Sequence, residues 1–132
     1  SGAGIRYIRL FPIWKEFQPI KELDKFAGRH FAVIYEDGTP LDNSPEGVAG
    51  VLPIMMNRLE AVMNLCKKYS LKAELTLFCC AVNGERTVPS YLENRNIFTD
   101  PTALMWEQRF IKYIVERFKD HVALGGYCIG NE

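Results

Sequence analysis

An apolar segment, Leu124 to Gly130, runs directly into Asn131-Glu132. A carboxyl group at the end of such a strand, beside an amide able to hold a hydroxyl, suits chemistry on sugars. Cleavage of a glycosidic bond by general acid catalysis needs a carboxyl whose pKa is raised by burial or by a neighbouring carboxylate. It then still carries its proton when the glycosidic oxygen leaves. Glu132 is the candidate for that acid and Asn131 for the hydroxyl contact, although the dipeptide is common and spacing alone favours a solvated glutamate.

Arg9 sits inside a largely apolar strand, Ile5 to Phe11. A guanidinium there is costly unless it meets a carboxylate or lines a polar cavity; the plainer alternative is an edge-strand arginine reaching solvent. Phe11, Trp14 and Phe17 follow closely, and their flat faces suit the C–H faces of sugar rings as well as core packing. Phe17 reads as core, while Trp14 fits either role. Glu74 lies on the polar face of a later strand, where it is placed to point into a barrel and pair with a base such as Arg9, a structural role. Asp37, Asp42, Glu85, Asp100 and Glu107 read as turn, cap or solvated residues. His121 reads as a helix-end or packing residue, and His30 falls in a long excursion.

Composition narrows the classes. The 132 residues carry 16 Lys+Arg against 16 Asp+Glu, so no basic stripe marks a nucleic-acid or acidic-membrane partner. No apolar run approaches the ~18–20 residues of a membrane-spanning helix, and the chain reads as soluble. Cys66, Cys79, Cys80 and Cys128 lack paired metal-ligand spacing and lie far from both histidines, so no metal site is expected. Cys79 and Cys80 read as small buried side chains on opposite strand faces. Glycine-rich phosphate loops, the Gly-x-Ser-x-Gly elbow and His-Glu-x-x-His do not occur, and no cofactor is implied.

The elements that must position these residues alternate in type. After the strand Ile5–Phe11 comes an excursion from Pro12 to about Leu52, holding a small hairpin at Phe31–Tyr35 with its turn at Glu36-Asp37-Gly38-Thr39. Ser44-Pro45-Glu46 signals a helix start, but Gly47 and Gly50 follow, so a turn is expected. A helix runs from Pro53 to near Tyr69 with Met55, Leu59, Val62, Met63 and Cys66 as its apolar stripe. The strand Lys72–Cys79 follows, with Leu75 and Leu77 on one face and Glu74 and Thr76 on the other. A loop from Ala81 to Thr99 leads to the N-cap and first-turn pair Asp100-Pro101. The helix it starts has Leu104, Ile111, Ile114, Val115 and Phe118 as its stripe, and the strand Leu124–Gly130 completes the order β-α-β-α-β. This order predicts parallel strands joined by right-handed crossovers. The strand-to-helix loops are long and the helix-to-strand connections short, so a ligand is expected at the C-terminal edge of the strands.

The segment Gly4-Ile5-Arg6-Tyr7-Ile8-Arg9-Leu10-Phe11 with Trp14 and Phe17-Gln18-Pro19, the segment Tyr69-Ser70-Leu71-Lys72-Ala73-Glu74-Leu75-Thr76-Leu77, and Arg117-Phe118-Lys119-Asp120-His121 leading to Gly130-Asn131-Glu132 together resemble the retaining (β/α)8 glycoside hydrolases. The chain is most similar to the cellulase and mannanase group of glycoside hydrolase family 5. The resemblance implies a partial TIM barrel, class α/β, in which residues 1–132 form one piece of a catalytic domain supplying barrel strands two, three and four. It implies that Glu132 is the general acid/base, that Asn131 contacts the sugar 2-hydroxyl, and that Arg9 is the strand-two arginine supporting the nucleophile. Trp14, Phe11 and the loop Ala81–Thr99 would shape subsites for a β-linked oligo- or polysaccharide. Neighbours on a regular strand face opposite ways, so Asn131 and Glu132 can share a site only where the strand ends or bulges.

In that clan the nucleophile comes from strand seven and stands about 5–5.5 Å from the acid. It has no counterpart before Glu132. The expectation is therefore a fragment of a retaining β-glycosidase that is inactive alone, with self-association through exposed strand edges. Two readings compete: a non-catalytic carbohydrate-binding or interaction module, and an open flavodoxin-like sheet, which lacks its phosphate loop here. The sequence assigns no localisation, since any signal peptide would lie upstream of Ser1, although unpaired cysteines lean towards a reducing compartment.

Overall fold

The computed structural model describes residues 6–24, 31–79, 81, 82, 85, 86, 88–92 and 95–131. In chain order the elements are β1 (Arg6–Leu10), α1 (Trp14–Phe17), β2 (Ile20–Asp24), β3 (Phe31–Tyr35), α2 (Pro45–Ala49), α3 (Pro53–Lys68), β4 (Leu71–Cys79), β5 (Ala81–Val82), β6 (Glu85–Arg86), a 3-10 turn at Ser90–Leu92, α4 (Pro101–Phe118) and β7 (Leu124–Asn131). Residues 1–5, His30, Cys80, Asn83 and Glu132 lie outside the described residues.

The three strands expected from the pattern form one parallel sheet in the order β1-β4-β7. Alternation divides each strand between two faces. Ile8, Leu10, Ala73, Leu75 and Leu77 turn towards the core that α3 and α4 complete. Tyr7, Arg9, Lys72, Glu74, Thr76 and Cys128 occupy the other face by register. Helices cover the outside of a (β/α)8 barrel, so this second face is the barrel interior and the sheet with its two long helices is a partial barrel. In β7 the pairing passes from Ala73↔Leu124 to Glu74↔Gly126, leaving Gly125 as a bulge. The bulge lets Leu124 and Tyr127, three residues apart, both pack on the helix side. A Cβ on Gly125 would stand 3.1 Å from side-chain atoms of Lys72 and Tyr7, so a larger residue there would have to push these neighbours aside by a few tenths of an ångström.

Both long helices begin where capping chemistry predicts, but their buried stripes are rotated from the expected ones. On α3 the buried residues are Met56, Leu59, Met63 and Cys66, while Val62 is exposed and Met55 half-buried. On α4 they are Ala103, Trp106, Phe110, Ile114 and Phe118, and Leu104 is exposed. Adjacent stripes on a helix both repeat at 3.6 residues, and the position of neighbouring elements selects one. For α4 the selector is the excursion after β1, because Trp106 forms a second cluster with Ile20 and Tyr35.

That excursion is more ordered than its sequence suggests. β3 pairs antiparallel with β2, upstream of it, while the turn at 36–39 folds back only to the single bridge Ile34↔Pro40. The turn expected at Ser44-Pro45-Glu46 is in fact the short helix α2. Ser44 Oγ accepts a hydrogen bond from Gly47 N at 3.1 Å, and Gly50 ends the helix in the left-handed conformation, φ 71°. Gly47 is there because a Cβ would stand 2.3 Å from Asp42 O. The two glycines that argued against a helix are thus a packing requirement and a C-terminal cap.

Glu107 departs from the solvated role its sequence position suggested. Its Oε2 is buried without a hydrogen-bond partner among the described residues, and burial pushes its pKa from 4.5 up to about 7. Unfolded chains lose this proton near the ordinary value while the folded chain keeps it, so ionisation favours unfolding. Stability is therefore expected to fall as pH rises from 4.5 to about 7 and then to level off. Glu107→Gln should flatten this slope and stabilise the chain at pH 8 by about 1–2 kcal/mol after solvent screening. Urea midpoints at pH 5 and pH 8 check it; equal slopes in both proteins would contradict it.

Candidate active site at the C-terminal strand edge

The strands end on one side of the sheet, and the long connections leave from that side. Asn131 is the last described residue of β7, and its backbone pairs with Cys79 at the end of β4. Glu132, the expected acid, is the next residue and lies outside the described residues. Asn131 reaches the edge where the family resemblance requires it, with the bulge of β7 placed earlier, at Gly125.

Arg9 lies in register with Glu74, and its Nε stands 3.3 Å from Glu74 Oε1. The expectation that Glu74 shares the polar face and meets Arg9 is what the geometry shows. Glu74 and Cys79 are five residues apart on β4, so Arg9 and Asn131 are separated by ~17 Å along the strands and ~10 Å across them before twist is counted. Arg9 thus belongs to a deeper level of the sheet than the backbone position of Asn131. Thr76 lies between these levels on the face of Arg9 and Glu74, fully buried, its Oγ1 without a hydrogen-bond partner among the described residues.

Trp14 requires a correction. It was expected to offer a face to a sugar, but it is 0% exposed. Its ring meets Phe78 edge-on at 4.8 Å, and Nε1 donates to Gln18 Oε1 at 2.7 Å. Gln18, also fully buried, donates through Nε2 to Ala49 O at 2.8 Å and to Trp106 O at 3.1 Å. One amide therefore ties α1 to α2 and α4 and saturates its own polar atoms, which is why a glutamine is tolerated there. Trp14 is the hydrophobic and hydrogen-bonding centre of this joint rather than a subsite wall. Phe17 is core as expected.

Phe11 remains accessible at 40% exposure. The Arg9 Cζ stands 5.9 Å from its ring centroid, and the ring also borders a cleft of about 170 Å³ with Leu10, Pro12, Phe17, Arg58, Leu59 and Val62. A larger cleft of about 260 Å³ lies away from the strand edge, between α2 and α4, lined by Val48, Arg109, Lys112, Tyr113 and Glu116 among others. Neither is lined by Arg9 or Trp14.

The connections at the strand edge are tied to one another. Tyr35 Oη donates to Val51 O at 2.8 Å, and Ser90 Oγ, in the loop after β4, bonds Glu36 Oε1 in the excursion after β1. Asp100 caps α4 by accepting from Ala103 N at 3.0 Å and faces Arg95 at 3.4 Å; the bonded carboxylate is held below the usual aspartate range. At the other end of α4, His121 Nδ1 accepts from Ala123 N at 3.1 Å, closing the connection into β7. Gln18 is the residue sequence reasoning missed; the available signal was a long polar side chain four positions after Trp14, the spacing of adjacent helix turns.

No family model matches the chain, and no curated protein matches it. Solved structures do. The chain superposes over 98% of its length on GH5_18 from Streptomyces cattleya in complex with GlcNAc, with TM-score 0.70 and 18% identity, covering 25% of that chain. For GH5_18 from Bifidobacterium longum subsp. infantis the figures are 96% of this chain, 24% of that one, TM-score 0.68 and 16% identity. For the exo-β-1,4-mannosidase Op5Man5 from Opitutaceae bacterium strain TAV5 they are 96%, 18%, 0.67 and 20%. The S. cattleya protein has also been solved as its E153A variant with Manβ1-4GlcNAc. The chain thus spans about a quarter or less of the structures it matches and has the fold of part of a family 5 glycoside hydrolase barrel.

Proposed function

We propose that the chain is the acid/base-bearing segment of a retaining β-glycosidase acting on β-linked oligo- or polysaccharides, with β-mannosides as the first substrates to test. The observation that carries this is the superposition of nearly the whole chain on part of the S. cattleya structure while β7 leads into Asn131-Glu132. In this reading Glu132, protonated, gives its proton to the departing glycosidic oxygen. Deprotonated, it then takes a proton from the water that opens the glycosyl-enzyme intermediate. Asn131 holds the sugar 2-hydroxyl, and Arg9 supports a nucleophile supplied by a strand beyond the three described. Phe11 remains a candidate substrate contact, and no metal or organic cofactor is invoked.

The alternative of a non-catalytic carbohydrate-binding module rested on an aromatic platform. It loses its main element with Trp14 in the core. The test is to express the complete reading frame containing this segment and to assay it on aryl β-mannosides, β-glucosides and β-galactosides, on Manβ1-4GlcNAc, and on mannan and β-glucan. Turnover is expected on at least one of them. Polysaccharide binding without turnover on any would reverse the assignment in favour of the module.

Self-association belongs to the same reading. Among the described residues β1 and β7 each pair on one side only, and Tyr7 and Ile129 are 65% and 61% exposed on the sheet. The 132-residue chain alone is expected to give a light-scattering mass above that of one chain at high concentration. A clean monomer would count against it.

A further inference from the structure

Arg9 and Glu74 form an ion pair that is poorly suited to holding the fold. Their side chains are 53% and 39% exposed, and pairs in such surroundings add about 0–1 kcal/mol to stability. Its geometry is better suited to orientation. The close contact is at Nε, on the side edge of the guanidinium. The end-on edge formed by the two Nη amino groups makes no hydrogen bond to a described residue. Phe11, the residue immediately after β1, is within cation–π distance of Cζ. A carboxylate at one edge and a ring near the cation restrict both the rotation and the direction of a side chain that otherwise has many rotamers.

We infer that Glu74 is a positioning residue that acts through Arg9, fixing the guanidinium so that its two Nη groups face a carboxylate or substrate oxygen towards the C-terminal edge. This rests on the glycosidase reading above for its catalytic consequence, but not for the pairing itself. An arginine fork recognises a carboxylate with two parallel hydrogen bonds only when its plane is correctly turned, and small misplacement near reacting groups costs rate more than binding. Parallel register with Arg9 explains why a carboxylate occupies this strand position: Arg9↔Glu74 are direct neighbours on adjacent strands.

The first test is independent of turnover. In the 132-residue chain labelled with nitrogen-15, the Arg9 Nε–H signal, identified by its loss in Arg9→Lys, is expected to persist at neutral pH and to vanish through solvent exchange in Glu74→Leu, which removes the acceptor. Its persistence in Glu74→Leu would overturn the inference. The second test uses the complete enzyme. Glu74→Gln should lower kcat by about 10- to 100-fold with KM changed by less than about 3-fold. It should add nothing to the defect of Arg9→Lys, because both changes remove the same orientation. The thermal midpoint should stay within a few degrees of the parent. Additive defects, or a loss of turnover that follows a loss of stability, would make Glu74 merely structural and overturn the inference. A complete enzyme without turnover on any glycoside would sink the functional reading while the Nε–H measurement still decides the pairing.

Discussion

Glu132→Gln in the complete enzyme is expected to reduce turnover of substrates with poor leaving groups by about 10²- to 10⁴-fold, the range that a positioned acid/base contributes. The size of the loss should depend on the leaving group. An alkyl glycoside or disaccharide leaves as an alkoxide unless it is protonated, so bond cleavage needs the acid. A dinitrophenyl glycoside leaves readily as a stabilised anion, so its first step should be nearly unaffected and the second step, which needs the base, should become limiting. A small anionic nucleophile such as azide should then restore turnover by attacking the glycosyl-enzyme without base assistance, giving the glycosyl azide with retained configuration. The alkaline limb of the pH–rate profile should disappear, because the group that must be protonated is gone. Equal losses on good and poor leaving groups, with no rescue by azide, would place the acid elsewhere.

Trp14→Ala is expected to be the most destabilising single change in the chain. The ring is fully buried, packs edge-on against Phe78 and donates to Gln18. Truncating a core aromatic costs about 3–5 kcal/mol, and the Gln18 Oε1 left without its donor raises that further. The joint among α1, α2 and α4 should loosen as well, since the same Gln18 amide bonds Ala49 and Trp106. Urea unfolding followed by far-ultraviolet circular dichroism measures the loss. Trp14→Phe, which keeps most of the volume and loses the donor, should cost roughly half as much and keep the chain folded for comparison. Sugar affinity of Trp14→Phe should match that of the parent. A variant that keeps its stability but loses sugar binding would return Trp14 to the role of platform.

The contrast between these two residues shows where sequence information is strong. Alternation in Ile5–Phe11 and Lys72–Cys79, the Pro53 and Asp100-Pro101 helix starts, and the short helix-to-strand connections determined a parallel β-α-β-α-β unit with almost the observed boundaries. These are local effects, set by side-chain period, proline geometry and capping within a few residues. The same local rules placed Asn131 at a strand end and Glu74 on the face of Arg9, because period and register are properties of the strands themselves.

What the tertiary structure decided concerns choices between options of equal local merit. Rotation of the α3 and α4 stripes depended on where the sheet and the excursion lay, not on helical period. Ser44 to Gly50 became a helix because Asp42 leaves room only for glycine at 47 and because a left-handed cap was needed at 50. Trp14 became core because Gln18 supplied its hydrogen-bond partner, and that amide in turn required carbonyls from residues 49 and 106, far away in the chain. Glu107 was buried by packing that no pattern in its own helix encodes. Residue type and spacing fix which chemistry is present, and the long-range assembly of elements fixes which side chains stay exposed to perform it.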